Sequence, residues 1–386
     1  MGGVLRFIFI LASITILSPH PGWAKDRANA SRPDEEFLTE PFDGIRWQYP
    51  VQKRVVSVGD IHGDLDALVA ILKSRDLIDA SGHWTGGTTH LVLLGDLVDG
   101  FFESKLVMDF CIRLEGEASA AGGRVHSLLG NHDLMTAEGS TVHMTKDEKK
   151  TYVETNGKTP SRSEIHEQLG PATKYGEWIR ERNSIVQIGQ TLYVHGGVDE
   201  WLLDPQVEPG NINSTVRAWI RYWQKLGPRP PKHTEWTVGY HRKKGFITER
   251  GPLFHRGFKI DKSGKGKLDE TRNQEGPRKK ALKKIMKSLA IDHIVVGHAP
   301  TPDEKIHLSH PYYGDRVKNI DTHIAREFGG KLSALEEVDG EFNAYYTERP
   351  KKSDDLKFNP RKENRASVPV PLKDECMEVF SLEVTP

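Results

Sequence analysis

Short apolar runs recur along the chain, and five of them end directly in a cluster of Gly, Asp, His or Asn. These runs span residues 55–58, 90–94, 125–129, 192–194 and 293–296, and the clusters that follow read GDIHGD, GDLVDG, GNHD, HGG and GHAP. Uninterrupted apolar runs of this length are typical of strands that are covered on both faces of a sheet. The pattern therefore predicts five buried strands, each with polar residues at its carboxyl end.

Helical patterns separate several of these strands. In 65–77 and 105–114, apolar residues recur every three or four positions, as they do on one face of a helix. Alternating strands and helices predict a layered α/β architecture. Ligand sites of open α/β sheets lie at the carboxyl ends of the strands, so we expect the five polar clusters to gather along one sheet edge.

Two insertions interrupt the alternation of strand and helix. Segments 134–185 and 199–290 contain helical stretches, such as 216–226, and loops rich in Pro, Gly and Lys. We interpret both segments as caps over the site, within a single domain at 51–346, rather than as independent domains.

The ends of this domain have their own patterns. An irregular lead-in at 25–50 precedes it, and alternating residues at 321–346 predict a closing β-meander. The following extension, 347–386, is charged and rich in Pro, and 377–384 is the candidate for a last strand.

The N-terminus has the pattern of a secretory signal peptide at 1–24. Arg6 precedes an apolar run at 7–17, which is followed by helix-breaking prolines and by Gly-Trp-Ala ending at Ala24. The run is too short for a stable membrane span, and small residues such as Ala24 precede signal-peptide cleavage. We expect cleavage after Ala24 and export to a periplasm, a secretory lumen or the medium, with an uncleaved anchor as the alternative.

Charge and cysteine content exclude several classes of function. The 386 residues include 54 Lys and Arg and 54 Asp and Glu, so no net field favours nucleic acid. Basic runs at 278–287 and 349–352 are interpreted as a solvated helix face or tail. The two cysteines, Cys111 and Cys376, form no CxxC pair, which excludes a thiolate zinc site and a disulfide scaffold. Cys111 lies in an apolar helical pattern and is predicted to be a core residue.

The polar clusters supply metal ligands in series. One Asp or His after a strand more often caps a helix or bonds to a loop, but five in succession indicate a common site. The first two clusters along the chain supply carboxylates and one imidazole, and the carboxylate of Asp96 could bridge two cations. The candidate ligands are Asp60, His62, Asp96, Asn131, His195 and His298. Imidazole and carboxylate without thiolate suit Mn, Fe or Zn rather than calcium.

Two such cations, about 3.5–4 Å apart, would form a clamp for in-line displacement at phosphorus. They would acidify a bridging water and neutralise the equatorial phosphate oxygens. The leaving oxygen still needs a proton, and His132, which follows the ligand Asn131, is placed to donate it. Asp99, three residues beyond Asp96, could hold that imidazole charged and oriented.

The ordered clusters resemble the calcineurin-like metallophosphoesterase superfamily, and within it the phosphoprotein phosphatases, whose pattern is GDxHG, GDxxDRG, GNHE, HGG and a later His. The resemblance implies a layered β-sandwich flanked by helices, with attack by a metal-bridging hydroxide. It assigns the first metal to Asp60, His62 and Asp96. It assigns the second metal to Asp96, Asn131, His195 and His298, and the general-acid dyad to His132 and Asp99.

Two later stretches are similar to the bacterial-type, Shewanella-like branch of these phosphatases. They are GPLFHRG at 251–257 and the segment 321–336 with FGGKLSALE. This likeness implies that the guanidinium of Arg256 binds the substrate phosphate, with a surface ion pair as the alternative. Gly100 stands where the family has Arg, so one phosphate clamp is missing.

The function expected from this resemblance is hydrolysis of phosphomonoesters by a metal-dependent phosphatase, with a phosphoprotein as substrate. One alternative is a diadenosine tetraphosphatase-like hydrolase, because the GNHDL wording at 130–134 is similar to that branch. Another is a non-catalytic binding protein that keeps the fold. Pro300 stands where nucleases and cyclic-nucleotide esterases of the superfamily often have a second His, which argues against those branches. The sequence leaves open Ser/Thr against Tyr preference and the oligomeric state.

Overall fold

The computed structural model describes residues 43–153, 158–204, 207–226, 250–261 and 275–349. The sequence-based signal peptide, the lead-in as far as residue 42, Cys376 and the candidate strand 377–384 lie outside these described residues. Within them, no helix is both long enough and apolar enough to cross a membrane.

In the described part of the chain, the strands form two mixed five-stranded sheets. One sheet has the order β10-β9-β2-β3-β4 and contains β2 (Arg54–Val58), β3 (His90–Leu93), β4 (Arg124–Ser127), β9 (Leu332–Val338) and β10 (Glu341–Thr347). Its central strands β2, β3 and β4 are parallel, whereas β9 is antiparallel to β2 and forms a hairpin with β10.

The other sheet has the order β1-β5-β6-β7-β8. It contains β1 (Gln48–Tyr49), β5 (Ile185–Ile188), β6 (Thr191–Val194), β7 (His293–Val296) and β8 (Val317–Asn319). Strands β6, β7 and β8 are parallel, so their carboxyl ends point in one direction, and β5 is antiparallel to β6.

The described helices lie between and after these strands. They are α1 (Leu65–Ser74), α2 (Ser104–Ala120), α3 (Asn131–Ala137), α4 (Lys146–Tyr152), α5 (Arg162–Glu167), α6 (Lys174–Arg180), α7 (Pro209–Leu226) and α8 (Glu275–Ser288), with a 3-10 turn at Glu200–Leu203. Helix α1 begins where the Asp64 side chain accepts a hydrogen bond from the amide of Ala67 at 3.0 Å, which caps its first turn.

Alternate residues of each strand face different layers. Val55 on β2 and Val92 on β3 pack in a core with Tyr193 and Val295 of the other sheet. Their neighbour Val56 packs instead with residues of the covering helices. Because side chains alternate across a strand, each sheet has one face toward the other sheet and one toward helices. The molecule is thus a β-sandwich flanked by helices.

This architecture confirms the layered α/β class and corrects one expectation. Five strands were expected to end along one sheet edge, but β2, β3 and β4 belong to one sheet while β6 and β7 belong to the other. The apolar runs indicate burial on both faces without telling whether a helix or a sheet covers each face. Helix α2 also extends six residues beyond the predicted end at 114, to Ala120, and the lead-in contributes β1.

Candidate metal centre

The polar clusters that follow strands of both sheets meet in space. Ligand atoms of His62, Asp96 and His132 lie within 4.8 Å of one another, and so do those of Asp96, His195 and His298. Asp96 belongs to both groups. The structure therefore places one carboxylate between two sets of imidazoles, as a residue that bridges two cations would be placed.

The remaining ligand candidates lie against the same groups. Both carboxylate oxygens of Asp60 accept from the amide of His298, at 3.2 and 3.1 Å. Oδ1 of Asn131 lies 3.0 Å from Nε2 of His195. Nε2 of His195 in turn lies 3.4 Å from Oδ2 of Asp96. All six sequence-predicted ligands thus belong to one connected cluster.

The loops that carry these side chains have unusual backbone geometry. Left-handed φ angles occur at His62 (47°), Asp96 (48°), Asp99 (66°) and His298 (63°). Non-glycine residues adopt this region uncommonly, and such conformations concentrate at functional sites. A Cβ atom on Gly95 would lie 2.3 Å from the amide nitrogen of Gly130, so the second and third clusters approach through backbone contact.

Hydrogen bonds to backbone carbonyls orient two imidazoles. Nδ1 of His62 donates to the carbonyl of Asp99 at 2.8 Å, and Nδ1 of His195 donates to that of Leu94 at 2.9 Å. This leaves each Nε2 facing the cluster, which is the usual arrangement of metal-binding histidines. Nε2 of His298 is buried and has no hydrogen-bond partner among the described residues. Imidazole nitrogens placed in this way, beside carboxylate oxygens, are suitable ligands for cations.

The buried carboxylates and imidazoles of the cluster have shifted pKa values, which also fits a metal site. Burial and the neighbouring Asp321 raise the pKa of Asp60 well above its ordinary value. Burial also opposes ionisation of Asp96, but His195, His132 and His62 together outweigh it and hold the pKa of Asp96 well below the ordinary value. For His195, burial is outweighed by Asp96 and Asp60, which raise the pKa to about 9. Cations at this place would neutralise carboxylates that are otherwise costly to bury.

His132 lies at the edge of the cluster and is paired with Asp99. Nδ1 of His132 lies 3.1 Å from Oδ2 of Asp99, and Nε2 lies 4.0 Å from Oδ2 of Asp96. Burial alone would lower the pKa of His132, but Asp96 and then Asp99 raise it to about 9. Nδ1 of the ring thus faces Asp99, and its Nε2 faces Asp96.

Residues 53–302 match the family of calcineurin-like phosphoesterases. The chain belongs to this family. Shewanella-like protein phosphatase 2 of Arabidopsis thaliana is 28% identical over 216 residues, which cover 46% of this chain and 54% of that protein. The chain thus spans about half the length of this curated relative.

Two further proteins are similar to this family member. A symmetrical bis(5'-nucleosyl)-tetraphosphatase of Neisseria meningitidis is 26% identical over 200 residues, or 50% of this chain and 62% of that protein. The solved structure of a mutant cold-active protein tyrosine phosphatase is 25% identical and superposes with a TM-score of 0.59. The superposition covers 78% of this chain and 82% of that one, so the two chains share the fold over most of their length.

Asp133 stands where the family pattern GNHE has Glu, and its side chain accepts hydrogen bonds from two loops. Its Oδ1 accepts from the amides of Leu97 and Val98, at 3.0 and 3.2 Å, and its Oδ2 accepts from that of Gly130 at 2.8 Å. Asp133 therefore ties the loop after β3 to the loop after β4.

Arg256 lies on the surface beside the second group of ligands. Its block packs on the HGG cluster, because the amide of Gly196 donates to the carbonyl of Pro252 at 2.7 Å. Burial, followed by the charges of His195 and Arg256, lowers the pKa of His298 to about 2. The side chain of Arg256 is exposed.

Gly100 replaces the family arginine in a backbone conformation that suits glycine. Its φ is +148°, and a Cβ atom there would lie 3.0 Å from Cβ of His62. An arginine in this conformation would be strained and would crowd His62.

Several residues of the site were not predicted from the sequence. Asp321 is buried directly after β8 and Ile320, and its Cα lies 3.2 Å from the position of a Cβ on Gly59. It follows a strand that contains Lys318 and Asn319, so the uninterrupted apolar run that precedes Asp60 and Asp96 is absent here. The ring centroids of Phe328 and His62 lie 5.2 Å apart, and those of His143 and His132 lie 4.9 Å apart. No local pattern marks these two.

Proposed function

We propose that this phosphoesterase hydrolyses phosphomonoesters of proteins, with His132 as general acid. The observation that carries the proposal is the position of Asp96 between two ligand groups, with His132 on the same cluster and paired with Asp99. Two cations held there would stabilise charge on the phosphate oxygens and acidify a water molecule. Mn, Fe or Zn suit the imidazole and carboxylate donors.

The residues around the cations have separate tasks. Arg256 binds phosphate oxygens, since a guanidinium can donate two parallel hydrogen bonds to them. His132 donates the proton on Nε2 to the leaving oxygen as the ester bond breaks. Asp99 keeps Nδ1 of that ring protonated and aimed. Bound cations beside Asp96 would oppose the rise in the pKa of His132, which eases proton release.

The rim of the site favours phosphotyrosine among protein substrates. Phe328 and Phe102 are 45% and 38% exposed, although large aromatic side chains are usually buried. Phe328 contacts His62, and Phe101, next to Phe102, donates its amide to the carbonyl of His62 at 2.8 Å. These rings offer an apolar wall to a phenyl ester. The similar solved structure carries the name of a protein tyrosine phosphatase.

A panel of phosphopeptides tests this proposal. One peptide sequence would carry phosphotyrosine, phosphoserine or phosphothreonine, and phosphate release would be measured on metal-reconstituted protein. We expect release from all three, fastest from phosphotyrosine. The Asp96→Asn variant serves as the control for contaminating phosphatase. A metal-loaded protein that released phosphate from none of the peptides would contradict the proposal.

A dinucleotide tetraphosphate is the second candidate substrate. The similarity to the Neisseria enzyme supports it, since that protein is named as a bis(5'-nucleosyl)-tetraphosphatase. An assay of diadenosine tetraphosphate beside the phosphopeptides separates the two. We expect a kcat/KM for the best phosphopeptide above that for the dinucleotide, and the reverse order would favour the second candidate.

We also propose that the protein is exported. The pattern at 1–24 supports this, with a basic residue, an apolar run and Ala24 at the cleavage position. N-terminal sequencing of protein from cell fractions would test it. Export predicts a chain that begins at residue 25 outside the cytoplasm, and a chain that retained residue 1 in the cytoplasmic fraction would contradict it.

A further inference from the structure

Two successive backbone amides after Asp96 point at one buried carboxylate. The amide of Asp99 donates to Oε1 of Glu148 at 3.2 Å, and the amide of Gly100 donates to Oε2 at 3.2 Å. Successive N–H groups in such a turn form a concave nest for an anion. Both residues have positive φ, +66° and +148°, so the local backbone is shaped for this contact. The carboxyl group of Glu148 occupies this nest.

A third donor completes this contact. The hydroxyl of Ser104, at the start of α2, donates to Oε1 of Glu148 and accepts from the amide of Asp99 at 3.1 Å. Glu148 is fully buried on α4, whose first turn is capped by Thr145. Burial raises the pKa of Glu148 to about 7. The fold thus keeps a carboxylate that is costly to bury, and gives it three hydrogen-bond donors.

The peptide that Glu148 holds orients two histidines of the site. The carbonyl of Asp99 accepts from Nδ1 of His62 at 2.8 Å, and its Oδ2 lies 3.1 Å from Nδ1 of His132. Loss of the amide contact with Glu148 would leave the Asp99 side chain, and with it the ring of His132, less firmly oriented. Asp99 Oδ1 is buried without a hydrogen-bond partner among the described residues, so the side chain has little else to fix it.

We propose that Glu148 is a positioning residue that aligns the general-acid dyad from the first cap, through the amides of Asp99 and Gly100. The inference rests on the proposed function, because it assigns His132 the task of protonating the leaving oxygen. In this chain Gly100 lacks the family's phosphate-binding side chain, and its amide serves instead to hold the loop.

The substitution Glu148→Gln tests this proposal with little change in shape. Its amide nitrogen would face one of the two N–H donors, so the nest would lose one hydrogen bond and gain a repulsive contact. Asp147→Asn, on the exposed face of the same helix, is the matched control, since it removes an equal charge. Both variants would be compared in metal content and in activity on two substrates.

The two substrates differ in how much the leaving group needs a proton. On a phosphotyrosine peptide, kcat of Glu148→Gln should fall by about 10-fold or more with KM nearly unchanged, because general-acid catalysis is impaired. On p-nitrophenyl phosphate, whose leaving group needs little protonation, kcat should change by less than about 2-fold. Metal content should equal that of the wild type, and Asp147→Asn should behave as the wild type on both substrates.

An equal loss on both substrates, or no loss on either, would overturn the proposal. If Glu148→Gln does not fold, Ser104→Ala decides, because it removes one donor to Glu148 and leaves the carboxylate in place. Its kcat on the phosphotyrosine peptide should fall by less than that of Glu148→Gln, and its kcat on p-nitrophenyl phosphate should not change. An unchanged ratio of the two kcat values would overturn the proposal. A metal-loaded wild type inactive on both substrates would instead refute the proposed function itself.

Discussion

Oδ2 of Asp99 lies 3.1 Å from Nδ1 of His132. The same residue accepts from Nδ1 of His62 through its backbone carbonyl, at 2.8 Å. One residue therefore orients both a predicted metal ligand and the predicted general acid. The two contacts use different atoms of Asp99, the carboxylate for His132 and the backbone carbonyl for His62.

Substitution of the predicted general acid should impair proton transfer without changing metal binding. We expect His132→Asn to lower kcat on a phosphotyrosine peptide by about 10²–10⁴-fold, because the leaving oxygen would lose its proton donor. Metal content should be unchanged, since the backbone amide that donates to Asp96 at 2.8 Å remains. Turnover of the variant and its bound metal would be measured on the same preparation. Full activity on the peptide would show that another group is the acid.

Loss of the exposed guanidinium should weaken substrate binding. Arg256→Ala is expected to raise KM for phosphopeptides by about 10-fold or more, because a charge-assisted hydrogen bond contributes about 1.5–3 kcal/mol. Arg256→Lys should recover part of the loss, since an ammonium keeps the charge without two parallel donors. Steady-state kinetics on one peptide checks the series. Equal KM values for all three proteins would place the phosphate elsewhere.

The conformation at Gly100 should make it intolerant of any side chain. We expect Gly100→Ala to lower the free energy of unfolding by about 1–3 kcal/mol, because alanine is strained in this backbone region. Gly116→Ala is the matched control, since nothing lies within 4 Å of its added Cβ and it sits inside α2. That variant should be more stable than wild type by about 1 kcal/mol. Denaturant unfolding of both would reveal whether the order is as expected.

Glu138 should make stability depend on pH. Burial raises its pKa to about 7, although Trp219 donates a hydrogen bond to it and Arg162 lies near. The pKa of Glu138 in the folded protein lies above the ordinary 4.5. Its contribution to the free energy of unfolding is therefore fully present below about pH 4.5 and is lost as pH rises through 7. The free energy of unfolding of Glu138→Gln should therefore rise relative to that of the wild type between pH 5 and pH 8, by on the order of 2 kcal/mol.

Unfolding of both proteins across this pH range tests the effect of Glu138. The surface variant Glu167→Gln controls for the removal of a carboxylate from the same cap. A difference between Glu138→Gln and wild type that stayed constant with pH would refute the assignment.

The sequence predicts the strand ends better than it predicts their arrangement. Asp60, Asp96 and His298 each follow an apolar run, and this local signal sufficed to name them. Whether β3 and β6 share a sheet depends on contacts between distant segments, which no local pattern records. Glu148 shows the same limit, because its partner amides lie 49 and 48 positions away and its helix looks like an ordinary charged surface helix.

Metal analysis of the purified protein tests the central claim most directly. After reconstitution with Mn, Fe or Zn and removal of excess ions, elemental analysis should find about two ions per wild-type chain, as expected for a dinuclear phosphoesterase. In Asp96→Asn, which loses the carboxylate shared by both groups, the content should fall together with activity. A fully active wild-type chain without bound metal, or an Asp96→Asn chain that kept both ions and full activity, would contradict the account.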